Sequence, residues 1–254
     1  MKAKSQTQVA RAAAYWPLAL LLAVFLAVVF AMPLTAPFFH WLFPDVLHPV
    51  YVRASFFELT VAHCELVFVS TFAAACIGIG TGVYVTRDKG REFLPLAGAL
   101  AAIGQTFPPV AVLALAIPLL GYGAAPTLVA LVLYSTLPIL EATIAGLYAV
   151  PHAARDAGVG LGFSPKGLLW HIELPLAAPF IFAGLRNAAI VNIGTATIGS
   201  SVGALSLGSP ILEGLSASNP AYVLQGALIV SLLAVLVDRA FETLEQTLNG
   251  QTLN

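Results

Sequence analysis

Six apolar runs, at residues 16–38, 61–86, 94–120, 126–148, 176–203 and 221–239, dominate this chain. Each comes close to or exceeds the roughly 20 residues that an α-helix needs to cross a bilayer. A chain organised this way has one suitable solvent for most of its length, because hydrocarbon tolerates only backbone whose N–H and C=O groups are paired within the segment. Composition agrees: 59% of the residues are hydrophobic and 9% charged, too few charges to coat a soluble globule of 254 residues. The predicted fold is an all-α polytopic membrane protein with about six transmembrane helices. Pro108-Pro109 sits inside the third run and predicts a break there, while Pro126 and Pro151 bound the fourth.

Basic residues give the runs an orientation. Lys2, Lys4 and Arg11 precede the first, Arg87, Lys89 and Arg91 separate the second and third, Arg155 and Lys166 separate the fourth and fifth, and Arg239 follows the sixth. With six alternating helices all of these fall on one side, which the positive-inside rule makes cytoplasmic, together with both termini. Arg53 lies in a loop on the other side, and Arg186 lies within the fifth run, where a guanidinium is expected to snorkel or face the bundle. The first run also admits a reading as a secretory signal. It is longer than a typical signal core, is bracketed by Pro17 and Pro33, and lacks a convincing cleavage site, so a retained helix is expected. Residues 39–60, rich in Phe, Trp, Tyr and His, read as an external connector at the membrane interface. His40 and His48 lack the further ligands that a metal site requires. Cys64 and Cys76, on one helix, would be about 18 Å apart at ~1.5 Å per residue, too far for a disulfide, and are expected to be buried.

The polar stretch from Asp156 to Pro175, DAGVGLGFSPKGLLWHIELP, interrupts this apolar pattern on the cytoplasmic side. Asp156, Ala157 and Gly158 read as a helical start, Gly162 as a positive-φ stop, and Ser164 with Pro165 as the N-cap and first position of a second short helix. Leu168, Leu169, Ile172 and Leu174 give that helix an apolar face, and Pro175 is expected to open the next apolar segment.

The spacing of Asp156-Ala157-Gly158, Gly162, Ile172 and Leu174-Pro175 resembles the EAA loop of ABC-importer permeases, with Asp in place of Glu and Gly in place of the second Ala. QTFPPVAVLALAIPLLGYG, LYSTLPILEATIAGL, ELPLAAPFIFAGLR, NIGTATI and GSPILEGL extend the likeness to the permeases of osmoprotectant importers, the glycine betaine, carnitine and choline group. The resemblance implies a type I importer (MetI-like) core over 61–240, with a coupling loop at 149–175. It is preceded by one extra N-terminal helix and connector (1–60) and followed by a cytoplasmic tail (241–254). It also implies partners: cytoplasmic ABC ATPase subunits that carry the ATP and Mg, a periplasmic substrate-binding protein, and a second permease copy or paralogue, all at a bacterial inner membrane. In such importers the loop docks into a groove of the ATPase, and the solute crosses by alternating access.

Candidates for the path are fewer. Gln105 and Phe107 flank the double proline, where a broken helix can line a cavity or simply kink against a neighbour. Asn192, Thr195 and Gly199 share one small, polar helix face with Ala188 and Gly203, which suits either a path or close helix packing. Gly78 and Gly82 read as a helix contact. Glu65 and Glu141 are isolated carboxylates inside runs, and through them an ion-coupled carrier remains an alternative, as does an ABC permease for another solute such as an amino acid. The chain shows no phosphate-binding loop, HExxH or Gly-x-Ser-x-Gly motif, so catalysis is not expected on it and no cofactor is expected to be its own.

Overall fold

The computed structural model describes the backbone of residues 2–249 and the side chains of residues 15–246. The side chains of Lys2, Lys4 and Arg11, used above for orientation, and residues 250–254 of the tail lie outside the described residues. No strand occurs among the described residues. Helices α1 (Lys2–Ala31), α2 (Ala36–Leu42), α3 (Phe56–Val85), α4 (Leu94–Thr106), α5 (Pro109–Leu120) and α6 (Ala124–Ala149) make up the first part of the chain. Helices α7 (His152–Gly160), α8 (Pro165–Leu168), α9 (Leu174–Thr195), α10 (Gly208–Ser216) and α11 (Pro220–Asn249) complete it. Among the described residues five segments are long and apolar enough to cross a membrane, and α4 with α5 makes a sixth if that bent pair is one span. The predicted break is present. The chain bends by 94° between α4 and α5, with Phe107 extended (φ −73°, ψ 134°) as a residue before proline should be. Residues 241–249 continue α11.

Burial follows the logic of a protein dissolved in lipid. Large apolar side chains such as Phe68, Phe72, Leu115 and Leu119 point outward, while His63, Ser70, Thr143, Asn192 and Gln225 lie inside. Both cysteines are free and exposed, correcting the expectation of burial. Cys64 lies one helical turn from Phe68 and two from Phe72, which is an outward stripe of α3.

The chain divides into two compact units. One comprises Met1–Val67, Leu113–Thr127 and Ile193–Asn254. In it α11 packs on α1 and α10, and the connector after α2 is fastened down. Gln225 accepts from the Tyr51 N–H at 3.1 Å and donates to the Pro49 carbonyl at 2.5 Å, while Asn219 donates to His48 O at 3.0 Å. The aromatic connector is thus partly interior: Tyr51 and Phe56 are buried, whereas Trp41 and Phe57 are exposed.

The second unit comprises Phe68–Val112 and Leu128–Asn192. Its helices meet at small residues. A Cβ on Gly82 would stand 2.8 Å from Thr143 Cγ2, and one on Gly184 would stand 2.5 Å from Ala142 Cβ and 2.9 Å from the Pro138 carbonyl. The Gly78/Gly82 pair is therefore a helix contact, as its spacing suggests. Around it lie two apolar clusters, one of Ala74, Ile139 and Ala188 and one of Leu147, Ala177 and Ile181. These fix the end of α6 and the start of α9, between which the polar loop is strung.

Candidate functional site

Residues 152–175 form a paired-helix loop, but its first helix opens at His152, so Asp156, Ala157 and Gly158 lie inside that helix and do not start it. α7 ends in a Schellman arrangement: Phe163 N–H donates to Gly158 O at 3.1 Å and Gly162 N–H to Val159 O at 2.9 Å, with Gly162 at φ +83°. Ser164 is extended and its Oγ accepts from Gly167 N at 3.2 Å, capping α8, in which Pro165 occupies the first turn. One expectation needs correcting. Pro175 does not open a new segment, because α8 runs through a π turn at Leu169–Glu173 directly into α9. The π turn sits just before Pro175, whose missing N–H removes one i→i−4 bond and makes a local change of register inexpensive.

The loop is held against its own base. Gly158 is buried, and a Cβ there would lie 2.4 Å from Ile172 Cδ1 and 2.6 Å from Leu168 Cδ1. α7 therefore lies directly on Leu168 of α8 and on Ile172 just beyond it. Beneath that contact Glu173, only 3% exposed, accepts a hydrogen bond from Arg87 Nη1 at 2.5 Å and forms an ion pair with Arg155, whose Nε lies 2.9 Å away. Arg155 also donates to the Leu147 carbonyl at the end of α6. Asp156 and Ala157 face solvent on the outer side of α7, and the tip adds Val159 (62% exposed) and Leu161 (79%). Leu174 is half-buried and Pro175 exposed. The result is a rigid knob with an apolar, acidic tip.

The path candidates separate. Gln105 is exposed, but its amide donates to Tyr134 O at 2.7 Å. That carbonyl lacks its helical partner because Pro138, four residues on in α6, has no N–H. Phe107 is half-exposed at the break. Asn192 is fully buried, donating to Ser70 and Thr71, each at 3.0 Å. Gly199 is buried too, and a Cβ on it would stand 2.5 Å from Thr127 Cγ2. Thr195 is half-buried. Asn192 on α9 and Gly199 in the 3₁₀ segment Ala196–Val202 that follows it are therefore both packed inward in this conformation. Asn192→Cys, in a background with Cys64 and Cys76 replaced by Ser, is accordingly expected to resist polar thiol reagents in purified protein while Leu161→Cys, exposed on the polar loop, labels readily; labelling of both at similar rates would show that this face opens.

Sequence reasoning missed Glu173 and the apolar tip. The sequence carried no signal for Glu173, because Arg87 and Arg155, far away along the chain or on another helix, reach it only in the folded protein. Val159 and Leu161 looked like ordinary loop residues until the Schellman turn set their direction.

Away from the loop, a cavity of ≈ 480 Å³ opens among Tyr51, Arg53, Ser200, Ser209, Glu213 and Ser216. Arg53 pairs with Glu213 at 2.9 Å. Ser200 links to Ser206 at 2.8 Å and Ser209 at 3.1 Å. Burial, followed by the nearby Glu213 charge, pushes the Tyr51 phenol above its ordinary value, keeping it a neutral hydroxyl.

A lipid-facing helical core with a paired-helix knob at the mouth of two of its helices defines a multi-pass transport permease. The chain belongs to the family described as binding-protein-dependent transport system inner membrane component, whose model matches residues 76–250. The choline transport system permease protein OpuBB of Bacillus subtilis is 38% identical over 194 residues, covering 74% of this chain and 86% of that protein. The osmoprotectant import permease protein OsmY of Salmonella typhimurium is 36% identical over 191 residues, covering 75% and 81%. Among solved structures, an inward-facing form of the MetNI methionine ABC transporter superposes with a TM-score of 0.68 at 21% identity, over 78% of this chain and 99% of that one. That likeness speaks to the fold.

Proposed function

We propose that this chain is the membrane-spanning subunit of an ATP-driven importer for osmoprotectants of the quaternary amine class, working by alternating access in a bacterial inner membrane with both termini cytoplasmic. The observation that carries the reading is the α7–Gly162–α8 knob. An exposed Leu161 and Val159 beside an acidic Asp156, on a backbone held rigid by a Schellman turn and a capped helix, is a surface suited to a protein groove. The occupant is a cytoplasmic ATPase subunit, which supplies the nucleotide chemistry for which this sequence carries no motif. A soluble binding protein delivers the solute, and a second permease subunit, a copy or a paralogue, completes the path.

The cargo class rests on the relatives, two of which are named for choline and for osmoprotectants, and on the chemistry of the cavity at Tyr51. That cavity includes Tyr51 and Arg53 of the connector, which the positive-inside rule puts on the external side. The Tyr51 ring and an Arg53–Glu213 ion pair that can open to meet a ligand of both charges suit a betaine, its ammonium toward Glu213 and its carboxylate toward Arg53. Proteoliposomes containing this chain, its cognate ATPase and its binding protein, offered a panel of choline, glycine betaine, carnitine and methionine, test the cargo class. Uptake is expected for one or more of the quaternary amines and not for methionine. Preferential uptake of methionine would replace the class with amino acids.

A further inference from the structure

We infer that the buried cluster Arg87–Glu173–Arg155 is the strut that carries movement of the knob into the membrane helices, with Glu173 as a positioning residue for coupled transport. This rests on the reading that the knob meets an ATPase.

Glu173 occupies the variable position between Ile172 and Leu174-Pro175, outside the motif that marks the loop. Its environment is nonetheless the most constrained in the region. The side chain is 4% exposed and both its carboxylate oxygens are engaged, Oε2 by Arg87 and Oε1 by Arg155. The three residues come from three places. Arg87 follows the end of α3, where its N–H donates to Tyr84 O at 3.1 Å. Arg155 belongs to α7 and reaches the last turns of α6 through the Leu147 carbonyl. Glu173 lies in the π turn that feeds α9. One carboxylate therefore ties the knob to the cytoplasmic ends of α3, α6 and α9 together.

The chemistry suits force transmission better than the neighbouring apolar contact does. Gly158 against Ile172 and Leu168 is a non-directional surface that allows sliding. The Arg87 hydrogen bond to Glu173 is directional, and both ion pairs, inside a protein, are little weakened by solvent. A single anion serves two cations, so loss of its charge leaves two partly buried guanidiniums facing each other. The cluster is consequently all-or-none, as a two-state joint requires. The π turn adds the freedom to change register at this point, because its i→i−5 pairing can revert to i→i−4 when the knob is pushed.

The test compares solute moved per ATP hydrolysed in proteoliposomes holding the full complex. Glu173→Gln is expected to insert, to retain the ATPase and to keep basal hydrolysis, while solute per ATP falls about tenfold, in the usual range of coupling between sites. Arg155→Lys, which keeps the charge but cannot reach both Glu173 and Leu147 O with one planar fork, is expected to show a smaller loss. Glu173→Asp, which keeps the carboxylate on a shorter stem, is expected to retain more of the ratio than Glu173→Gln at equal amounts of folded protein, which a position needed only for folding would not do. An unchanged ratio in Glu173→Gln, or a fall in uptake and hydrolysis that merely tracks a loss of folded protein in all three variants, would overturn the inference. Wild-type complex showing no ATP-driven uptake at all would instead overturn the importer reading beneath it.

Discussion

Gly162→Pro is expected to reduce ATP-driven uptake by well over tenfold while the protein still inserts and accumulates. Gly162 stands at φ +83° and its N–H donates to Val159 O at 2.9 Å. Proline fixes φ near −65° and has no N–H, so it denies the knob both the turn and the bond that close α7. No membrane segment is touched, which separates this outcome from misfolding. A graded series sharpens it. A Cβ at Gly162 would meet nothing within 4 Å, so Gly162→Ala incurs only the backbone penalty of roughly 1–2 kcal/mol. Gly162→Asn, which adopts left-handed backbone more readily, should transport best of the three. Asp156→Arg, at an exposed position on the same knob, should lower uptake by changing the docking face without altering the fold. Normal uptake by Gly162→Pro, measured alongside protein abundance, would remove the knob from the mechanism.

Gly208→Ala is expected to have the largest effect on folding. A Cβ there would lie 1.9 Å from Thr197 O and 2.6 Å from the Thr197 Cα, contacts with backbone that no side-chain rotation can relieve. Gly208 opens α10, and Thr197 lies in the 3₁₀ segment Ala196–Val202 that extends α9. Forcing them apart displaces α10, which packs on α11. A cost of about 3 kcal/mol, at the upper end of ordinary overpacking, is expected. In a thermal melt of purified protein that corresponds to a fall of roughly 6–12 °C. Gly80→Ala is the matched control: a Cβ there meets nothing within 4 Å, and Ala favours the α3 helix, so stability should hold or rise slightly. Equal melting of Gly208→Ala and wild type would show that the contact between α10 and the 3₁₀ segment is looser than described.

The differing severity of these substitutions reflects what sequence can and cannot specify. Local chemistry was legible. Gly162 and the Ser164-Pro165 pair announce a turn and a capped helix by their own backbone preferences, and Pro108-Pro109 announces a break. Long-range partners were not. Whether Asn192 faces a path or a neighbour depends on where Ser70 and Thr71 fall in space, and one small, polar helix face is compatible with both. Glu173 illustrates the same limit: its pattern position is unremarkable, and only the fold brings Arg87 and Arg155 to it. The continuity of α8 into α9 was also hidden, since a proline at position 175 argues for a boundary unless a π turn absorbs it. Cys64 and Cys76 were assigned to the interior on residue type, whereas helix rotation places them outside.

The central claim, that nucleotide hydrolysis on a partner drives solute through this chain by way of the knob, is tested most directly by the energy source of uptake. Proteoliposomes containing the permease, its ATPase and its binding protein would be loaded with ATP or left without it, and treated with ionophores that collapse proton and sodium gradients. The account predicts uptake of a quaternary amine that requires ATP and persists after the gradients are gone. Uptake that ignores ATP and disappears with the gradients would contradict it, and would make the chain an ion-coupled carrier.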